Sequence, residues 1–118
     1  MTRKSRDKGA RGELEVRDIL RSHGYLEARR GQQYCGIAGD ADVVGLPGVH
    51  IEVKRVESLR LEDAMEQSRR DARDGEMPTV WHRKSRKPWV VVMDVEDFMR
   101  LYRYAEPAIL DAVESADM

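Results

Sequence analysis

The stretch GDADVVGLPGVHIEVKR, residues 39–55, decides how the chain is read. Two short apolar runs, DVVGL (42–46) and VHIEVKR (49–55), flank Pro47-Gly48, a pair suited to a tight turn, and together they predict a β-hairpin. Side chains alternate along a strand, so Val49, Ile51 and Val53 share one face of the second run and His50, Glu52 and Lys54 the other. Asp42 opens the first run, and the hairpin brings it toward Glu52. Two carboxylates joined in this way make a hard-oxygen site suited to Mg²⁺, which keeps several waters and takes one or two carboxylates. Asp40, two residues earlier, is an extra candidate ligand. A lysine beside such a site orients a water and offsets negative charge growing on phosphorus. These are the parts for phosphodiester hydrolysis.

Outward from the hairpin the chain alternates helix and strand patterns. Leu14, Val16, Ile19, Leu20 and His23 follow a helical stripe that starts near Gly12, with Gly24 as its stop; His23 is expected to pack on that stripe. Residues 29–40, with three glycines, read as a loop. Leu61, Ala64, Met65, Ser68 and Ala72 predict a second helix over about 60–73. Thr79 to Arg83 and Trp89 to Met93 read as strands, the second aliphatic enough for a buried central position, with Trp81 and Trp89 packing on or near the sheet. Glu96 to Tyr104 predicts a closing helix, and the segment after Pro107 a short helix or a fraying end. The expected organisation is a basic flexible arm over 1–11, one domain over 12–105, and an acidic tail or short helix over 106–118. The fold class expected is α/β, a central mixed sheet of four or five strands flanked by helices.

At 118 residues, with 41% hydrophobic and 36% charged residues, the chain has material for one modest core, and no run of about 18 apolar residues is present to span a membrane. The single cysteine, Cys35, excludes an intrachain disulfide and a thiolate zinc site, lacks a paired histidine for thiol catalysis, and suits a reducing cytoplasm. The net charge of -1 conceals a split: +4 over residues 1–30, balance over 31–93, and -5 over 94–118. Local potential governs attraction to a polyanion, so near-neutrality does not exclude contact with DNA at one face.

Asp42 followed by Glu52-Val53-Lys54 resembles the PD-(D/E)xK signature of restriction-endonuclease-like nucleases, with Ala41 where the motif has proline. The chain is similar, over about residues 8–100, to the small Holliday-junction resolvases of the archaeal type and their phage-encoded relatives. KGARGELEVRDILRSHGY, ADVVG, IEVKR, the glutamine of EQSRRDA and Trp89 carry the likeness in order. The resemblance implies a restriction-endonuclease-like fold and a Mg²⁺-dependent endodeoxyribonuclease, with Mn²⁺ able to substitute. It further implies four-way-junction substrates and a homodimer that makes paired nicks; the location expected, from a polar basic start with no apolar segment behind it, is cytoplasmic, the host's if the chain is phage-encoded. By the same resemblance Glu13, Asp42 and Glu52 hold the metal, Lys54 is the catalytic lysine and Gln67 an accessory residue. Helical periodicity alone leaves Glu13 and Glu15 open as the helix ligand; the alignment with the family favours Glu13.

The cations Arg3, Lys4, Arg6, Lys8 and Arg11 suit either a solubilising arm or the DNA backbone. Arg83, Lys84, Arg86 and Lys87, four cations in five residues, repel one another and favour a polyanion; Arg29 and Arg30 are further candidates. His50 is expected at a strand edge beside solvent. The rival readings are a non-catalytic DNA-binding or phage-assembly module of the same fold and a nuclease of the same class acting on linear or damaged DNA.

Overall fold

In the computed structural model, which describes residues 3–31 and 41–117, with side chains from Asp7 onward, the chain forms an α/β domain on a five-stranded mixed sheet. Helix α1 (Arg3–Ser22) precedes strands β1 (Arg29–Arg30), β2 (Val43–Val44) and β3 (Val49–Arg55); α2 (Leu61–Asp71) leads to β4 (Met77–Arg83) and β5 (Val90–Met93), and α3 (Val95–Ala116) closes the chain. The strands lie in chain order, and every neighbouring pair is antiparallel except β3 and β4. That one parallel pair is the place where the chain must cross over, and α2 makes the crossover.

β3 is covered on both sides, so it is apolar on one face and carries polar groups that must be satisfied on the other. Val49, Ile51 and Val53 pack with Val16 and Leu20 of α1 and with Ala28 and Val43, while Val80 of β4 packs with Ala64 and Met65 of α2. The sheet therefore separates an α1 layer from an α2 layer. Gly12 lets α1 approach the end of β3: a Cβ there would stand 2.8 Å from Cβ of Arg55. Gly45, at φ 106, both takes a left-handed turn after β2 and passes so near the backbone of Ala28 that a Cβ would lie 2.6 Å from its Cα.

Several expectations are corrected. The stretch expected as an arm is helical from Arg3, because α1 extends without a break through Gly9 and Gly12. Arg29 and Arg30, read as loop, form a short edge strand against β2. β5 is an edge strand rather than a central one, with Val90 and Val91 about half exposed; β-branched content sets strand preference, not the strand's place in the sheet. α3 runs through Pro107 to Ala116 as one helix. There the carbonyl that proline leaves without its N–H lies on an exposed helix open to solvent, and alanines on both sides favour the helix. His23 is exposed in the turn after α1, beyond the stripe it was assigned to. Among the described residues no helix is long and apolar enough to cross a membrane.

Candidate active site

The hairpin forms as its sequence predicts. Val43 opposes Ile51, a register that sets Asp42 opposite Glu52. Asp42 is fixed by its own backbone, whose N–H donates to the Ile51 carbonyl at 2.9 Å, and by its side chain, whose Oδ2 accepts from the Val53 N–H at 2.7 Å. The carboxylate is thereby seated on the amide between Glu52 and Lys54.

Glu52 is fully buried, and its two oxygens have different surroundings. Oε1 pairs with His50 Nε2 at 2.7 Å, while Oε2 is buried with no hydrogen-bond partner. The His50 ring, also buried, has Glu76 3.8 Å from its other nitrogen. His50 thus lies under α2 and against β4, and the expectation of an edge histidine beside solvent is overturned. β4 supplies a parallel neighbour on the side taken to be open, and Thr79 Oγ1 donates to the His50 carbonyl at 2.7 Å. The signal was present as His-x-Glu on one strand face, which places an imidazole and a carboxylate side by side.

Electrostatics follow from this burial. Desolvation, reinforced by the Glu52 carboxylate alongside it, pushes Asp42 up from 3.8 to about 7, against the Val53 amide, and Glu13 adds to the push. For His50, burial acts to lower the pKa, but the hydrogen bond and charge of Glu52 outweigh it and the net direction is upward. Asp42 and Glu52 form a buried carboxyl pair in which a side-chain hydrogen bond with Glu52 also raises Asp42, and Glu52 Oε2 accepts from no N–H or hydroxyl group; paired hard oxygens of this kind are the chemistry of a site for a small hard cation.

The remaining site residues divide. Lys54 Nζ donates to Gln67 Oε1 of α2 at 3.2 Å, so Gln67 and the lysine stand together on the Glu52 face. Glu13 is near enough to act on Asp42, yet its Oε1 accepts from Arg30 Nε at 2.9 Å. Glu15 faces the other way, toward Arg83 and Arg55. Helix position therefore separates the two glutamates that periodicity left open. Among the described residues no group of three or more His, Cys, Asp or Glu side chains converges on one ion position. Glu13, expected as a third ligand, is instead ion-paired with Arg30, so the residues fit a hydrated cation on Asp42 and Glu52 rather than a closed cage; Asp40 lies outside the described residues, as does Cys35.

The cationic candidates divide as well. Arg30 is committed to Glu13, and Arg83 is held by Glu15 and by the Lys87 carbonyl at 2.7 Å. Lys84, Arg86 and Lys87 are exposed in the β4–β5 turn, Arg29 is exposed on β1, and Arg11 is exposed on α1. Glu57, three residues beyond Lys54, joins two of these regions: it lies 3.6 Å from Lys8 Nζ and accepts the Ser85 N–H at 2.9 Å. The early part of α1 and the β4–β5 turn thus border one another near the end of β3. The side chains of Arg3, Lys4 and Arg6 lie outside the described residues.

Compared with known proteins, the chain matches no family model, no curated protein and no solved structure.

Proposed function

We propose that this chain is a metal-dependent DNA endonuclease of the restriction-endonuclease-like class, acting on four-way junctions. The observation that carries the reading is the buried Asp42–Glu52 pair, with one Glu52 oxygen unpartnered, beside Lys54 on the same strand face. The likeness of the sequence to the small junction resolvases supports the same chemistry, and the exposed cations bordering the end of β3 suit a phosphate backbone.

Asp42 and Glu52 would hold Mg²⁺, which when bound would supply Lewis acidity toward the phosphodiester and lower the pKa of a water. The protein's own groups do the rest. The Val53 amide holds Asp42, and His50 fixes Glu52 so that its free oxygen remains available. Lys54, positioned by Gln67, offsets the charge that grows on the phosphate oxygens as water attacks phosphorus and the P–O bond to the leaving strand breaks. Glu13, ion-paired with Arg30, adds its charge to the upward push on Asp42.

The test is cleavage of a labelled synthetic four-way junction beside matched linear duplex and single strand, in Mg²⁺ or EDTA. The expected result is Mg²⁺-dependent nicking of the junction that Mn²⁺ also supports and that Glu52→Ala and Lys54→Ala each abolish. Equal cutting of linear duplex discards the junction preference and retains the nuclease. Binding without cutting in either metal overturns the enzymatic reading in favour of a DNA-binding module.

A further inference from the structure

Glu57 is an exposed acid on the loop after β3, yet donors from two other parts of the chain converge on its carboxylate. Oε1 accepts the Ser85 N–H of the β4–β5 turn at 2.9 Å and stands 3.6 Å from Lys8 Nζ of α1. The Ser85 hydroxyl, then that N–H, then Lys8 hold the Glu57 carboxyl below its ordinary value. Arg55 adds a further cation, with Nη1 3.5 Å from Ser85 Oγ. A backbone N–H, a hydroxyl and an ammonium group are the donors that hold phosphate oxygens of a nucleic-acid backbone.

The turn does not depend on Glu57 for its shape. The Lys87 N–H closes it on the Lys84 carbonyl at 3.2 Å, Arg83 Nε donates to the Lys87 carbonyl at 2.7 Å, and Glu15 of α1 holds Arg83. Within it Arg86 keeps φ at 65, a left-handed conformation that a non-glycine residue retains only where its surroundings over-determine the backbone. The Ser85 donors are therefore aimed by a braced turn rather than by the carboxylate they hold.

We propose that the Glu57 carboxylate is a displaceable stand-in for a nucleic-acid phosphate, filling in the free protein an anion subsite of Lys8 and Ser85 that a backbone phosphodiester takes over on binding. With its side chain 55% exposed, Glu57 turns out to solvent when the phosphate replaces it. Glu57 follows Lys54 by three residues, at most about 10 Å of chain. At about 3.4 Å of rise per nucleotide, one strand reaches both positions within about three nucleotides. The consequence is a threshold: every polyanion that binds must first expel a carboxylate from its donors. Because Glu57 already neutralises Lys8, the exchange there releases little salt. The inference rests on the DNA-binding part of the proposed function and not on cleavage.

The test is fluorescence anisotropy of the full chain on a labelled linear duplex in EDTA across a salt series. Glu57→Gln keeps an acceptor for the Ser85 N–H and removes the charge. The expected result is binding about tenfold tighter than wild type at low salt, with a slope of log binding constant against log salt steeper by about 0.9, as Lys8 becomes one more phosphate-neutralising cation. Glu62→Gln takes the same charge from the exposed first turn of α2 and is expected to change affinity by less than about threefold, since salt screens a charge that contacts no phosphate. Adding Ser85→Ala to Glu57→Gln is expected to remove most of the gain. Equal tightening by Glu57→Gln and Glu62→Gln, an unchanged slope, or a gain that survives Ser85→Ala overturns the subsite. A thermal unfolding midpoint lowered by Glu57→Gln without tighter binding shows a clamp on the turn and also overturns it. In a parallel arm inorganic phosphate is titrated while the Ser85 amide is followed by NMR; a Glu57→Gln chain that takes up free phosphate yet binds duplex no tighter overturns the nucleic-acid assignment. Failure of wild type and variant alike to bind DNA overturns this inference together with the DNA reading, whereas the expected duplex binding without cleavage in Mg²⁺ overturns the nuclease alone and leaves the subsite standing.

Discussion

At Glu52 stability and the proposed chemistry conflict. A carboxylate buried at 0% exposure, with one oxygen unpartnered and a second carboxylate opposite, costs the fold free energy unless a positive group compensates it, and in the metal-free chain that group is His50. His50→Ala leaves both Glu52 oxygens without this partner and is expected to destabilise the metal-free protein by about 3 kcal/mol, the usual cost of breaking a buried pair, measured by urea unfolding near neutral pH. Glu52→Gln removes the charge itself and is expected to cost less, while abolishing cleavage. The sign of the pH dependence follows from the raised groups. Asp42 sits above its ordinary 3.8, at about 7, so the folded chain holds a proton that the unfolded chain releases. This contribution to stability is complete below about pH 4 and is lost as pH rises toward 7. His50, raised from 6.5 by its net interaction with Glu52, acts in the same direction at higher pH. Without metal, the wild type is therefore expected to lose stability relative to Asp42→Asn between about pH 4 and 7, and saturating Mg²⁺, which favours the ionised carboxyl, to flatten that difference. Unfolding curves of both proteins in EDTA and in Mg²⁺ measure it; a wild-type advantage that does not change with pH contradicts the assignment.

Between elements, α1 comes close to β3 at one point, and two glycines of the same helix serve to measure it. Gly9 has no atom within 4 Å of an added Cβ, whereas at Gly12 the Cβ of Arg55 is 2.8 Å away. Gly9→Ala is expected to stabilise the protein by about 0.5–1 kcal/mol through helix propensity alone. Gly12→Ala gains the same propensity but forces α1 off the strand and is expected to be net destabilising by about 1–2 kcal/mol; thermal or urea unfolding of the two variants checks the contrast. This contact also shows what sequence patterns convey. The β2–β3 hairpin was legible because Pro47-Gly48 and period-two alternation are local signals, and the same alternation put Glu52 and Lys54 on one face. α2 was legible from its stripe, as was the alternation of helix and strand patterns that makes the fold α/β. What was not legible is long-range: β4 lying parallel on the His50 side of β3, β5 at an edge, and Arg30 reaching back 17 residues to Glu13. The β1–β2 pairing and the β4 crossover create those neighbourhoods, and no local periodicity encodes them. The helix limits were missed for a different reason: glycines and a proline lower helix preference, but in α1 and α3 the surrounding residues outweigh them.

Over the whole molecule, a net charge of -1 is the sum of a basic front and an acidic end. The fold gives that split a geometry. Lys8 on α1 and the turn carrying Lys84, Arg86 and Lys87 meet at Glu57, just beyond the strand that bears Lys54, whereas the acidic residues of the last segment ride on α3. A polyanion approaching the end of β3 would therefore meet a cluster of exposed cations, although the total charge is negative. The cations are expected to differ in what they contribute. Lys84, Arg86 and Lys87 are exposed; replacing all three with alanine is expected to lower the slope of log binding constant against log salt by about 0.9 for each phosphate that is no longer neutralised. Arg83 sits between Glu15 and the Lys87 carbonyl, so Arg83→Ala is expected to lower the unfolding midpoint while leaving the salt slope close to that of the wild type. Fluorescence anisotropy on a labelled junction in EDTA, where cleavage is blocked, measures both slopes across a salt series. If the triple variant binds with an unchanged slope, the phosphate-facing surface does not include the β4–β5 turn, and the cations of α1 must supply it instead.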